Sequence, residues 1–387
     1  MKVLFYRYGS ICEPSILESL QEYGLEVTEI TEEIHNKNIL PGERFRLINK
    51  FFSANNISFV FTINFFPDIS DLCNIYKIPY MSLIVDSPVL ELYSESIRND
   101  CNRIFLFDKE LYKEFNQYNP DRIFHIPLAT NVRQWDKTIS SDHTNRFSGD
   151  VTFVGSLYKE KTLLNMDNTS EYIKGYVDSL IESQLKIYGC YFIENCISDQ
   201  IANEILSQIN NRYVFPDKYR ANNIALVAQY YIGNKIAAEE RVRLFKRLSS
   251  KYNIDLYTGS DTSDIPGVNN CGLVKTFTEM PLIFNRSAIN LNITAKPIRS
   301  AIPLRVFDVL GCGGFLISNY QAEIPEFLTI GEHLDIYESF EDLEDKVHFY
   351  LEHPSIRKEI AQAGYEFVKS NHTYTIRIGQ MISLAFK

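Results

Sequence analysis

A chain of 387 residues with 45% hydrophobic and 23% charged residues has the make-up of a globular protein, large enough for two domains of ordinary size. Its 49 acidic against 39 basic residues give a net charge of −10, which argues against nucleic acid or an anionic membrane surface as the main partner. The seven cysteines are scattered, odd in number and never spaced C-x-x-C, so buried thiols in a reducing compartment are expected rather than disulfides or structural zinc.

In chain order, Lys2 to Tyr6 reads as a strand running into Gly9. Its apolar run is too short for a signal peptide, and no stretch reaches the ~20 apolar residues of a membrane span. A cytoplasmic protein with no integral membrane segment is expected. Pro14 to Tyr23 reads as a helix and Glu26 to Ile30 as a strand. Strands follow at Phe59 to Ile63, Pro79 to Val85, Arg103 to Phe107 and Arg122 to Ile126. Strands alternating with helices predict a parallel sheet covered on both faces, with ligands outside the carboxyl ends of the strands. Glu13, Asp86 and Asp108 fall just after strands and so face that edge. The polar stretch Trp135 to Gly149 reads as a domain junction. The domains are then 1–145 and 146–372, with 373–387 a terminal helix. The second domain opens on the strand Asp150 to Val154 and the turn Gly155-Ser156. Residues 163–247 read as mainly helical. Strands return at Asp255 to Tyr257, Gly272 to Val274, Ala288 to Ile293, Phe315 to Ile317 and Leu334 to Tyr337. The expected fold class is α/β.

The richest stretch runs from Ser300 to Tyr320. It reads as a short helix entered through Pro303, a return at Gly311, Gly313 and Gly314, and a buried strand. The helix start, from Ser300 and Ala301 through Ile302, Pro303 and Leu304 to Arg305, offers main-chain amides to an anion such as a diphosphate. Arg305 adds fixed positive charge, and Asp308 one turn further in is placed to accept from ribose hydroxyls. The competing reading is an ordinary buried helix with an Arg305–Asp308 pair at i, i+3. The small-residue turn Gly155-Ser156, near Lys159 and Lys161, is a second candidate for close approach to a phosphate. Gly233-Asn234-Lys235 with Arg241 is a basic cluster read as opening a helix. In the first domain, Asp86 is the best candidate for a general base, with Glu13 as a rival. Asp86-Ser87-Pro88 also reads as a turn and helix cap. His125, His333 and His372 stand alone, and no Asp-x-Asp occurs, so no metal is expected at a diphosphate. No G-x-x-x-x-G-K-[ST] occurs either.

The stretch Glu279 to Thr294, the Ser300 to Tyr320 segment, Tyr320-Gln321-Ala322-Glu323, and His372-Thr373-Tyr374 with Arg377 resemble the C-terminal half of the CgeB-like (spore maturation protein) branch of the group 1 glycosyltransferases. Val85-Asp86-Ser87-Pro88, Phe105 to Asp108 and Ile126 to Asn131 resemble the N-terminal domain that accompanies that half. The resemblance spans nearly the whole chain and is weakest from about Glu160 to Asn222. It implies a GT-B fold of two Rossmann-like domains facing across a cleft, with a last helix crossing back to the first. It also implies transfer of a hexosyl group from a nucleotide-diphosphate sugar to a glycan or protein acceptor, expected to be metal-independent because no Asp-x-Asp occurs. Lys235 joins Arg305 as a diphosphate residue by this resemblance. Retaining members of the wider group carry two glutamates eight positions apart, and here Ser300 stands at the first position and Asp308 at the second. A non-catalytic scaffold of the same fold in a surface-layer or spore-coat assembly, and a nucleotide-sugar epimerase, are the alternatives.

Overall fold

The structure is a computed structural model that describes residues 1–386 apart from Asn38, Asn55, Asn145, Asn168 and Asn211. Asn145, the expected end of the first domain, and Lys387, the end of the terminal segment, lie outside the described residues. The chain divides into two compact units. The first comprises Met1–Ala129, Phe215–Ala221 and His372–Lys387, and the second Thr130–Val214 and Asn222–Asn371.

Each unit is built on a parallel sheet of six strands. In the first these are β1 (Lys2–Tyr6), β2 (Glu26–Ile30), β3 (Phe59–Ile63), β4 (Tyr80–Leu83), β5 (Asn102–Leu106) and β6 (Ile123–His125). They lie in the order β2-β1-β3-β4-β5-β6, with Val3 level with Phe59 and Phe61 with Met81. Every residue of β3 is buried, as a run apolar but for Thr62 requires in a strand covered on both faces. Phe5 and Phe61 meet edge to face at 5.3 Å in its core. The terminal helix Tyr374–Ala385 belongs to this unit, packed against the helix Glu13–Glu22.

The second sheet contains β7 (Val151–Val154), β8 (Ile254–Tyr257), β9 (Val268–Asn270), β10 (Ile289–Asn292), β11 (Leu316–Asn319) and β12 (Asp335–Tyr337). Its order is β12-β11-β10-β7-β8-β9. Phe153, Leu256, Ile289 and Ile317 form its core with Leu244, Phe245 and Val347 from flanking helices. Strand order reverses at β1/β3 in the first sheet and at β7/β10 in the second, and such switch points are where open α/β sheets generally bind ligands.

Three expectations change. The stretch taken as an irregular junction holds a helix, Val132–Ser141. Asn131 caps it by accepting from the Gln134 amide at 3.1 Å, and buried Trp135 anchors it. The division between units therefore falls at Ala129/Thr130. The strand expected at Gly272 to Val274 lies earlier, at Val268–Asn270, because Gly272 has φ +76° and turns the chain instead of extending it. The helix Gly233–Leu248 does not begin at Gly233. It continues a π-type segment, Leu226–Ile232, through helical backbone at Ile232.

Candidate functional site

In the second unit the helix Leu304–Gly311 starts at the carboxyl edge, after β10, with Pro303 as a cap that offers no side-chain hydrogen bond. Gly313, at φ +70°, closes it. The amides of Gly313 and Gly314 return to the carbonyls of Leu310 and Val309 at 2.9 and 3.0 Å. Ser300 to Pro303 are buried, whereas Leu304 and Arg305 are half-buried. The Arg305 side chain keeps 27% of its surface and lies 3.5 Å from Asp308, with its guanidinium over the Phe284 ring at 5.2 Å. Its position suits contact with an anion at the helix start.

Asp308 is placed deeper than a ribose contact at the helix start leads one to expect. Its carboxylate is buried, and Oδ1 accepts from Thr130 Oγ1 at 2.7 Å. That hydroxyl in turn accepts from Trp135 Nε1 at 2.7 Å. Burial pushes the Asp308 carboxyl above the ordinary carboxylate range, against the opposing pull of Arg305 and Thr130. Asp308 is thus tied into the interior of its unit, and the i, i+3 pair is the arrangement found. Gly311 permits it, since a Cβ there would lie 2.7 Å from Thr130 Cγ2. Ser300 donates from Oγ to Glu323 Oε1 at 2.6 Å, both buried, and its carbonyl accepts from the Glu323 amide at 3.0 Å. Glu323, in the run Tyr320-Gln321-Ala322-Glu323, is a buried partner to which the sequence reading gives no role. An acid just after a strand was the available signal.

The other donor candidates are occupied by their own chain. Ser156 donates to Glu160 Oε1 at 2.5 Å and accepts from the Tyr158 amide at 2.8 Å. Its carbonyl accepts from buried Arg241, whose second terminal nitrogen donates to the Ile293 carbonyl at 2.5 Å. Arg241 therefore ties together the segments that follow β7 and β10. A Cβ on Gly155 would meet the Phe153 ring at 3.2 Å, so its open side is already filled. Lys235 donates to Glu239 at 2.7 Å on a helix that passes through it unbroken, so no free amides accompany it. Lys159 donates to Asp264 at 2.6 Å, and Lys161 lies over the Tyr158 ring at 4.4 Å.

In the first unit the two carboxylate candidates separate clearly. Glu13 is fully buried and accepts from the amides of Tyr8 at 2.8 Å and Gly9 at 3.1 Å, and from Arg7 Nε at 3.2 Å. It clamps the loop leaving β1 and has no face toward a substrate. Asp108 is likewise a cap, accepting from the amides of Glu110 and Leu111. Asp86 is exposed. Asn64, in left-handed backbone at φ +56°, holds it through Nδ2 at 2.6 Å and the Tyr8 hydroxyl at 2.9 Å, while its Oδ1 accepts from the Val85 amide. Desolvation, reinforced by Asp86, raises the Tyr8 phenol well above its ordinary range, so Tyr8 stays a neutral hydroxyl. Asp86 lines a cleft of about 830 Å³ at the carboxyl ends of β1, β3 and β4. A carboxylate at such a place, fixed by an amide and open to the cleft, can take a proton from a bound hydroxyl.

Residues 241–383 match the profile of a family described as glycosyl transferase-like. Similar solved structures include sucrose-phosphate synthase from Thermosynechococcus elongatus, at 10% identity over 100% of this chain and 99% of that one, TM-score 0.53. Anabaena HepE in complex with UDP and glucose matches at 10% identity over 99% of each chain, TM-score 0.53. A UDP-forming trehalose-phosphate synthase from Burkholderia xenovorans matches at 11% identity over 99% of this chain and 98% of that one, TM-score 0.53. The chain has the GT-B glycosyltransferase fold. A search of curated protein sequences found no match. The GT-B fold accounts for the two six-stranded parallel sheets. Among the described residues of this GT-B chain, no group of three His, Cys, Asp or Glu could hold a metal ion, and no helix is long and apolar enough to cross a membrane.

Proposed function

We propose that this GT-B protein transfers a hexosyl group from a nucleotide-diphosphate sugar to an acceptor hydroxyl, with Asp86 as the general base. The observation that carries this reading is the exposed Asp86 carboxylate, fixed by Asn64 in a cleft at the carboxyl edge of the first sheet. The acceptor oxygen attacks the anomeric carbon as its proton passes to Asp86. The bond from that carbon to the diphosphate breaks, and the nucleoside diphosphate departs with the electron pair. One displacement inverts the anomeric configuration. The second unit takes the donor. Arg305, oriented by Asp308, and the first amides of the helix Leu304–Gly311 oppose the charge that grows on the leaving diphosphate. HepE was solved with UDP, which makes uridine the first base to try.

The finer placement in the CgeB-like branch is supported by the same residues that carry the resemblance, Ser300 to Tyr320 and Val85 to Pro88. A cytoplasmic location fits the scattered free cysteines. Isothermal titration with UDP, GDP and dTDP tests the donor half. Binding of one of the three, weakened by Arg305→Ala, is the expected result. Absence of binding by all three with folded protein would overturn it. Release of nucleoside diphosphate from the matching nucleotide sugar separates an enzyme from a scaffold of the same fold.

A further inference from the structure

The cleft beside Asp86 has a composition that selects its occupant. Six carboxylates line it, those of Glu33, Asp68, Asp71, Asp86, Glu91 and Asp217, against two cations, Arg44 and Lys218. Arg44 is not available as an anion site. Arg44 is 9% exposed and spends its guanidinium on Tyr6, Glu33 and Asp68, the last at 2.6 Å. Lys218 is 82% exposed, with its ammonium 4.0 Å from Asp71, and is the wall's one loosely paired cation among the described residues. Aromatic side chains of Tyr8, Phe66 and Tyr219 supply the apolar part of the wall.

One wall comes from far along the chain. Residues Phe215–Ala221 belong to the first unit, and Pro216 to Tyr219 line the cleft. The Glu95 amide donates to the Lys218 carbonyl at 3.0 Å, the Arg220 amide donates to the Tyr93 carbonyl at 2.9 Å, and Ser94 bridges Tyr219. Arg220 also pairs with Glu95 at 3.1 Å and lies over the Tyr118 ring at 3.7 Å. The wall is thus a built feature, tied at several points.

We propose that this cleft binds an uncharged or amino-bearing carbohydrate as the acceptor and rejects phosphorylated and uronic-acid sugars. The inference rests on the transferase reading above and names its acceptor class. Carboxylates accept hydrogen bonds from sugar hydroxyls and from an ammonium group. The aromatic rings offer apolar surface to the carbon–hydrogen face of a pyranose. A phosphate or carboxylate on the acceptor would enter an excess of four formal negative charges, against which the described residues of the wall offer one loosely paired cation, Lys218. The same field would draw in an amino sugar.

The test uses the full chain and ligand-observed NMR titration. The probes are methyl glycosides of glucose, galactose and mannose, the corresponding 2-amino sugars, and the 6-phosphates and uronates of the same sugars. At low salt at least one neutral or amino sugar should bind about tenfold or more tighter than its phosphate, and the gap should narrow at high salt as the field is screened. Asp217 is exposed, so Asp217→Lys should fold normally, and it should bring phosphate binding up by about tenfold by reversing one charge of the wall. Equal or tighter binding of phosphates by the native protein overturns the proposal, as does binding by none of the neutral and amino sugars. A preference that Asp217→Lys leaves untouched places the sugar outside this cleft and overturns it too. Sugar binding of the expected kind in a protein that binds no nucleoside diphosphate would remove the transferase reading and leave the cleft's selectivity standing.

Discussion

The hydroxyl of Thr130 donates to the buried carboxylate of Asp308 across 178 positions of sequence, at 2.7 Å. Because the same hydroxyl accepts from Trp135, one oxygen satisfies two buried groups. Thr130→Val keeps the shape and removes both hydrogen bonds. It should cost about 1–3 kcal/mol of stability, since a carboxylate oxygen and an indole N–H are left unpaired. Thr130→Ser should recover most of it. Urea denaturation of the three proteins checks this.

Asp86 and Glu13 both follow strands of the first sheet, and their substitutions should fail in different ways. Asp86→Asn should fold normally and lose two to four powers of ten in turnover, the usual worth of a general base. Glu13→Gln should instead lower stability by about 1–3 kcal/mol, because the loop amides and Arg7 lose a charged acceptor. Turnover per folded molecule should survive. Steady-state rates alongside thermal melts distinguish the two outcomes.

Acid should weaken the second unit through Glu344. Its carboxylate accepts from Lys251 and, at 2.7 Å, from Arg247, and these hold it below the ordinary carboxylate range. A folded-state value below the unfolded one gives stability that is present above the unfolded value and lost as pH falls through the folded one. Stability should therefore decline as pH falls below about 5, and Glu344→Gln should make that decline shallower. Denaturant midpoints across this range measure it.

Thiol labelling should divide the cysteines by burial. Cys190 and Cys271 are exposed, Cys196 is half-buried, and Cys12, Cys73, Cys101 and Cys312 are buried. Burial pushes the Cys101 thiol up to about 12 and also raises Cys271. Iodoacetamide at pH 8 should modify Cys190 first, Cys271 next and Cys196 more slowly, with the buried four reacting only in denaturant. Peptide mass spectrometry over time checks the order.

Strands buried on both faces were the most legible part of the chain, because a run such as Phe59 to Ile63, apolar at four of five positions, leaves few alternatives. The helix Val132–Ser141 was hidden because Val132 and Trp135 alone bury it, amid polar neighbours. The helical backbone running through Gly233 was hidden because glycine and asparagine usually punctuate a helix rather than continue it. At the site, Asp86 was readable as an acid after a strand, but Glu13 carries the same signal. What separates them is whether neighbouring amides turn inward to consume the carboxylate, and that depends on the path of the loop. The fate of Asp308 depended on Thr130, a residue no local pattern connects to it. The wall formed by Pro216 to Tyr219 was out of reach for the same reason.

The first unit is assembled from three separate stretches, Met1–Ala129, Phe215–Ala221 and His372–Lys387. During synthesis the sheet of this unit emerges before the piece that walls its cleft, which follows only after about 85 further residues, and the helix Tyr374–Ala385 follows the second unit's last stretch. The nascent protein must carry an unfinished half while the other is made. An amino-terminal fragment cut at residue 129 would lack both additions, so exchanging this half with that of a relative requires moving all three stretches together.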